Sequence, residues 1–531
     1  MPTYHCWTFE CGSIQSFIFE TGRLADAVGA SLLVDRLTGD LDETADAAAT
    51  SLLQQVMQTA GCATTVRFSR RGGGSFIAFL DSDEARRRVR TLWHAALAAN
   101  ATGLRWADAV ADAPSALAAA RDALRACQQA GRVDRPRLPE AGPLTLRVAR
   151  TGQPAVTVRS LAGQVEAIDA ATELRRRHAR RTAVADTLLQ RFGAPDGLRW
   201  PRHTEPSDGS VRDDGDGFPF VGGARELAFL HADGNGLGVL LRRLETGDDG
   251  AYVERYAAFS RAVTQATVAA ARQAAAEVLL PAAVDGVVPA RPLILGGDDL
   301  SLVVRADLAL PFAEAYLQAF ECQSTECLAA LRGLGLDLPG LTAACGIAIV
   351  KARFPFAQAA ALAEALCQRA KSVIKREAQA SARAMPLSAL AVQRVTTSVP
   401  DDALPRVQVD GRHWTLGHAA YVIGEEGAGV PRLADLQTLA QALATDAMPR
   451  GPVRRLLTDF HQDPTQALER WRRWRENLEP ARVAEIDALL RRLGVDDPSW
   501  LPLGRDGSPW PDAVLLRDLT RDDPDTTGGA A

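Results

Sequence analysis

Three acidic residues stand out by their setting. Asp298 and Asp299 follow Gly296 and Gly297 between two apolar runs, 293–295 and 300–304. Short Leu/Ile/Val runs split by Gly-Gly read as a β-hairpin with a tight turn. Such a hairpin lifts two neighbouring carboxylates to the tip of a sheet. Adjacent strand residues point to opposite faces, so one acid serves a site and the other supports it. Asp233 ends a second apolar run, 226–232. Carboxylate oxygens are the ligands that Mg²⁺ and Mn²⁺ prefer. Three of them would hold two ions about 3.5–4 Å apart, an arrangement suited to in-line phosphoryl displacement. In isolation, Gly-Gly-Asp-Asp also suits an ordinary turn, and Asp233 a helix N-cap.

Other residues extend the pattern toward a nucleotide. Gly234, Asn235, Gly236, Leu237 and Gly238 form a turn leading into a helix, where free N–H groups favour phosphate. The turn glycines Gly296 and Gly297 would let a nucleotide approach the hairpin. Lys371 and Lys375 lie one helical turn apart and would neutralise a triphosphate. Either lysine alone equally suits a solvated surface. None of the eight histidines has metal-ligand spacing.

The elements that must position these residues are legible. From 226 the order is strand, helix, acidic hairpin, helix, strand at 341–350 and helix at 356–377, a ferredoxin-like pattern with an extra helix. The same layout of strand, helix and glycine hairpin occurs earlier, where Gly72, Gly73, Gly74 and Ser75 separate two apolar runs. We read a divergent internal duplication whose second copy kept its acids. The fold class is α+β: two ferredoxin-like domains plus helical domains. The expected domains are 1–150, a first copy without the acids; 151–223, a helical linker without zinc ligands; 224–385, the second copy with the acidic hairpin; 386–520, mainly helical; and 521–531, a disordered tail. Residues 83–130 and 160–193 read as helical, and 143–150 as a strand.

Composition bounds the rest. The 531 residues are 47% hydrophobic and 24% charged, with net charge −5, so no strongly basic nucleic-acid coat is present. Eight scattered cysteines form no Cys-x-x-Cys pair, and 146–177 has none, which argues against zinc. No leader or membrane-length apolar run is evident, so the expected location is the cytoplasm. Arg175, Arg176, Arg177, Arg180 and Arg181 suit a solvated helix face or RNA phosphates. Trp471 and Trp474, set among arginines, are expected to pack inward.

Taken together, these motifs resemble the large polymerase/cyclase subunit of type III CRISPR effector complexes, the Cas-ten family of Csm and Cmr large subunits. The resemblance rests on 12–19 with 24–33, on Gly72 to Phe76, on 232–238, on Gly296 to Asp299, on 346–350, on 354–356, on 363–371 and on 448–454. It implies two palm domains of the polymerase and nucleotide cyclase kind, a degenerate first at 1–150 and a second at 224–385. It also implies synthesis of cyclic oligoadenylates from ATP, with Asp233, Asp298 and Asp299 as catalytic metal ligands for two Mg²⁺ or Mn²⁺ ions. One nucleotide's 3′-hydroxyl attacks another's α-phosphate and pyrophosphate leaves. It also implies guide and target RNA, and the small and backbone subunits, as partners in antiviral defence. In a two-palm reading, Ser75 and backbone groups of the first unit would bind the acceptor ATP. Two departures are visible. No His-Asp dipeptide of a nuclease domain occurs, and Asn235 stands near where relatives often have a second Asp. The alternative reading is a non-catalytic scaffold subunit of such a complex. A diguanylate cyclase fits less well, because Asp299 and Leu300 stand where Glu-Phe is expected.

Overall fold

A computed structural model describes residues 3–520 apart from 44–49, 133–141, 162–163, 182–186, 194, 196, 205–216, 222–224, 246–250, 396–405, 410–411, 425–428, 446–449 and 505–506. The expected disordered tail at 521–531 and the turn at Met448 and Pro449 lie outside the described residues.

The first unit runs β1 (Tyr4–Gly12), α1 (Ile14–Phe19), α2 (Leu24–Thr38), α3 (Leu52–Ala60), β2 (Arg67–Gly72), β3 (Ser75–Leu80), α4 (Asp83–Asn100), β4 (Arg105–Ala113) and α5 (Ala116–Arg132). Its sheet order is β2-β3-β1-β4. Strand β4 interrupts the segment read as continuous helix. Its Ala- and Asp-rich sequence has weak strand propensity, and antiparallel pairing with β1 decides its state. Ala116, Ala119, Ala120 and Ala123 form a stripe at helical spacing, so α5 approaches the sheet closely over Cys6 and Phe79. On the opposite face Phe9, Phe76 and Trp93 pack together.

A β-hairpin, β5 (Ala155–Leu161) and β6 (Gln164–Asp169), then precedes α6 (Ala170–Arg181) and α7 (Thr187–Arg191). The linker therefore contains strands where helix was expected. Residues 143–150 are turns with a single bridge from Arg147 to Pro154. Two arginines of α6 are internal ties. Arg175 is fully buried on Glu20 at 2.6 Å and over the Phe17 ring. Arg176 bonds Asp26 at 2.7 Å and Glu166 at 3.0 Å. Arg177 is exposed and reaches Glu173, while the side chains of Arg180 and Arg181 lie outside the described residues. Gly29 permits the contact between α2 and α6, because a Cβ there would lie 2.0 Å from the Arg175 carbonyl oxygen.

The second unit comprises β7 (Glu226–Asn235), α8 (Leu237–Leu244), α9 (Tyr252–Ala274, continued by a π turn to Leu279), β8 (Ala290–Gly296), β9 (Asp299–Arg305), α10 (Ala306–Ala329), β10 (Thr342–Lys351) and α11 (Phe356–Ala380). Its strands lie in the order β10-β7-β9-β8, which is the order of the first sheet read from its other edge. The duplication is thus visible as topology. The sheet extends past residue 385: β11 (Ala389–Arg394) pairs parallel to β10, and β14 (Tyr421–Val422) pairs with β11. Between them, β12 (Arg406–Val409) and β13 (Arg412–Thr415) form a separate hairpin. Helices α12 (Leu433–Leu443), α13 (Arg450–Gln462), α14 (Pro464–Glu476), α15 (Pro480–Arg492) and α16 (Trp510–Thr520) complete the chain. Trp471 and Trp474 do pack inward, stacked at 5.1 Å and edge-on to Trp510. Among the described residues no helix is long and apolar enough to cross a membrane.

Each strand of the second sheet buries two faces. Ala228, Leu230 and Ala232 of β7 join the core with α9 and α10. Leu227 and Phe229 face the other way, toward α11 and the first unit, where Phe229 lies between Phe19 and Phe356. The two units pack reciprocally. Helix α2 lies on β8, with the Ser31 hydroxyl donating to the Leu293 carbonyl, and α9 lies on β2. Helix α11 seats directly on β10 at Gly346, where a Cβ would lie 1.9 Å from the Ala363 carbonyl oxygen and 2.4 Å from the Cys367 nitrogen. Gly346→Ala is therefore expected to cost about 1–3 kcal/mol by overpacking. A urea unfolding midpoint equal to that of the wild type would contradict this seating.

Candidate metal and nucleotide site

Alternation along β7 puts His231 and Asp233 on the same face as Leu227 and Phe229. Antiparallel register sets Asp233 opposite Asp299 and His231 opposite Ser301. Residues paired directly across strands bring their side chains together. The His231 Nδ1 lies 2.9 Å from the Ser301 Oγ. His231, Asp233 and Asp299 each place one ligand atom within 4.8 Å of the others. Among the described residues, this is the one place where three such groups converge.

Asp298 joins from the turn. Gly297 adopts φ 61°, and its carbonyl accepts the Thr267 hydroxyl of α9 at 2.7 Å, which anchors the hairpin tip. Asp298 then folds over Gly234, where a Cβ would come 2.9 Å from the Asp298 Cβ and 3.1 Å from its Oδ2. Gly234 is glycine because that space belongs to the carboxylate. Both acids of the hairpin therefore turn toward Asp233, where one had been expected to serve and the other to support.

One ammonium faces three carboxylates. Lys371 Nζ donates to the Gly234 carbonyl at 2.9 Å and pairs with Asp233. Burial and the neighbouring Asp233 push the Asp298 carboxyl up to about 6, against the opposing pull of Lys371. Burial, Asp298 and Asp233 push Asp299 well above the usual carboxylate range. Burial holds His231 below the ordinary histidine value, although Asp233 acts the other way, which favours the neutral imidazole that a metal needs. Carboxylate oxygens plus one imidazole, with excess negative charge, fit a divalent cation.

The remaining expected residues divide. Gly296 and Gly297 form the hairpin turn beside the acids. Lys375 is exposed one turn beyond Lys371. Asn235 is turned away: it is buried and donates to the Thr342 Oγ1 at 3.1 Å and the Leu387 carbonyl at 3.4 Å. Gly236 caps α8 at φ 78°, where a Cβ would meet the Met385 Cε at 2.2 Å. Leu237 packs against the core, and Gly238 is exposed with open space around it. Ser75 is buried and donates to its own turn at the Gly72 carbonyl, so its hydroxyl is committed within the hairpin. Register pairs Glu10 with Ser75 as Asp233 pairs with Asp299. The first unit thus offers Glu10, Gly74 and Ser75 where the second offers three acids.

Three neighbours escaped the sequence reading. His231 was excluded on histidine spacing, yet it lies two residues before Asp233 on one strand, a signal that was available. Gln15 of α1 places its Nε2 3.3 Å from the His231 Nδ1. Arg70, exposed on β2, opposes the rise that burial imposes on the pKa of Asp299 and of Tyr256 on α9. Gln15 and Arg70 come from the first unit, and no spacing within one segment reveals them.

Residues 226–380 match the family model for the second palm domain of Cas10/Cmr2. The chain fold is similar to chains in three crystal structures of the Csm1-Csm4 cassette. With cA4 the TM-score is 0.52 at 14% identity, covering 98% of this chain and 70% of that chain. With AMPPNP it is 0.51 at 14% identity, with the same coverage. With cA3 it is 0.50 at 13% identity, covering 98% and 69%. Comparison with curated proteins finds no match. The mixed α and β fold with palm and helical parts, and the Cas-ten resemblance, both stand.

Because both hairpin acids titrate above their unfolded values, the protonated forms favour the fold. The Asp298 contribution is lost as pH rises through about 6. Asp298→Asn with Asp299→Asn should therefore stabilise the metal-free protein at pH 7.5, by on the order of 1–3 kcal/mol. The difference should shrink toward pH 4. Mn²⁺ should raise the melting temperature of the wild type only. A less stable variant at pH 7.5 in EDTA would show that the carboxylates act as structural acceptors.

Proposed function

We propose that this chain, which carries a Cas10/Cmr2 second palm domain, is a metal-dependent nucleotidyltransferase that builds cyclic oligoadenylates from ATP. The observation that carries this reading is the convergence of Asp233, Asp298 and Asp299 on one hairpin tip, opposed by a single lysine. Adenosine as the base follows from the relatives described with cA4, cA3 and AMPPNP.

In this mechanism the 3′-hydroxyl oxygen of one ATP bonds to the α-phosphorus of another, and the bond to pyrophosphate breaks. The three carboxylates, with His231 beside them, would hold two Mg²⁺ or Mn²⁺ ions. Those ions would activate the attacking oxygen and offset charge on the phosphoryl group. Once the acids are neutralised, Lys371 is free to leave Asp233 for the triphosphate. Lys375 extends the same positive helix face. Gln15 and Ser301 both meet the His231 Nδ1 and orient the ring. Gly296 and Gly297 keep the approach to the hairpin open.

The acceptor nucleotide is placed against the first unit. Reciprocal packing supports one cleft that presents two nucleotides to each other, which removes an entropic barrier. With Glu10 as its one counterpart acid, the first unit would bind through backbone groups and Arg70 instead of a second metal pair. By likeness to the Csm1-Csm4 cassettes, we also propose assembly with a backbone subunit, small subunits, and guide and target RNA in the cytoplasm.

The test is incubation of the purified chain with each labelled NTP and Mn²⁺ or Mg²⁺, with and without RNA, followed by mass analysis. Cyclic adenylate products are expected, lost in EDTA and restored by Mn²⁺. Asp233→Asn should reduce the rate at least about a hundredfold, since removing a metal ligand costs several kcal/mol of transition-state stabilisation. Lys371→Ala should raise the ATP concentration needed for half-maximal rate while leaving Mn²⁺ binding intact. Wild-type turnover with Asp233→Asn would sink the assignment.

A further inference from the structure

The arginine and tryptophan run of α14 has a use that the acid site does not absorb. Folding sorts its side chains. Trp471 and Trp474 enter the core, Arg475 pairs with Asp487 at 2.8 Å, and Arg470 pairs with Asp459. Arg473 is left exposed. Helix α13 packs beside α14 and brings a second exposed arginine, Arg455, to the same place. Between the two helices lies a cavity of about 470 Å³, lined by Gly451, Pro452, Arg455, Arg470, Arg473 and Trp474 among others.

The chemistry of this cavity is that of a phosphate receptor. Arg470 is neutralised by Asp459, whereas Arg455 and Arg473 have no ion pair among the described residues. Two unpaired guanidinium groups offer forked donors that match phosphate oxygens. Gly451 and Pro452 belong to the first turn of the 13-residue α13, so the positive pole of that helix opens here as well. Gly451 adds no side chain, and a Cβ there would meet nothing within 4 Å. Trp474 makes a rigid wall, fixed by stacking on Trp471 and edge contact with Trp510. The volume falls in the range of small-ligand sites, about 300–1,000 Å³.

We propose that this cavity between α13 and α14 binds a phosphate group, carried by either a single-stranded RNA backbone or a free nucleoside phosphate. It shares no residue with the acid cluster, and the proposal does not rest on the reaction assigned there.

The test uses the full chain carrying Asp298→Asn and Asp299→Asn, in EDTA, so that binding at the acid site does not contribute. The probes are a fluorescein-labelled twelve-nucleotide RNA, read by anisotropy across salt concentrations, and ATP, read by calorimetry. Arg455→Glu with Arg473→Glu changes two exposed side chains. Arg455→Gln with Arg473→Gln is the milder pair should the first melt early. Arg472→Glu, exposed on the same helix and outside the cavity, is the control. For an RNA ligand, the paired variants should lose roughly tenfold in affinity. The slope of log affinity against log salt should fall by about 1.4, two phosphate contacts on a single strand, while the control stays within about twofold. For a nucleotide ligand, ATP heat should vanish in the paired variants and persist in the control. Equal losses in the control, or no cavity-dependent binding of either probe, would overturn the proposal.

Discussion

The contact between Lys371 and Asp233 is the constraint around which this molecule is arranged. One ammonium sits against one carboxylate, while two further acids lie beside them in a half-buried setting. Unequal charge in partial burial is costly unless something else compensates. The chain holds the arrangement by position. Lys371 reaches Asp233 only because α11 lies flat on β10. That seat needs the small residues Ala344, Gly346 and Ala348 on the facing side of the strand. The backbone is recruited too, since the Gly234 carbonyl accepts from the same ammonium. An excess of negative charge held rigidly is a ready receptor for divalent cations.

The two palm-like units divide the work unequally. Their sheets share one strand order, and each unit lays a helix on the other's edge strand, α2 on β8 and α9 on β2. The second unit keeps acids at all three corresponding positions, whereas the first keeps only Glu10. What the first unit supplies instead is a wall of the site. Phe19 packs against Phe229 beneath it, Gln15 touches His231, and the charge of Arg70 reaches Asp299. A duplicated fold that lost one set of ligands therefore still shapes the other set's surroundings.

Arginine has two roles here that look alike in a linear reading. On α6, Arg175 and Arg176 are drawn inward by Glu20, Asp26 and Glu166, and they fasten that helix to the first unit. Removing one partner of such a buried pair would strand a charge, so these ties specify the docking of α6. On α13 and α14, Arg455 and Arg473 have no ion pair among the described residues and line a cavity. The difference is made by which carboxylates the fold brings within reach.

Much of this was legible in the chain itself. Glycine turns between apolar runs marked both hairpins, because only certain residues tolerate those backbone angles. Their places at a glycine turn and at the end of an apolar run singled out Asp298, Asp299 and Asp233. Helical spacing placed Trp471 and Trp474 inside and put Lys371 and Lys375 on one face. Even His231 was within reach of a two-residue periodicity. What only the tertiary structure decided is each group's partner. Asn235 and Ser75 look like nucleotide ligands in sequence, yet Thr342 and Gly72 claim them. Strand β4 has an alanine-rich sequence that becomes strand because β1 offers it a ladder. Gln15 and Arg70 reach the site across a unit boundary. Local sequence carries backbone preference and periodicity, whereas hydrogen bonds and ion pairs between distant segments exist only once the chain has closed on itself.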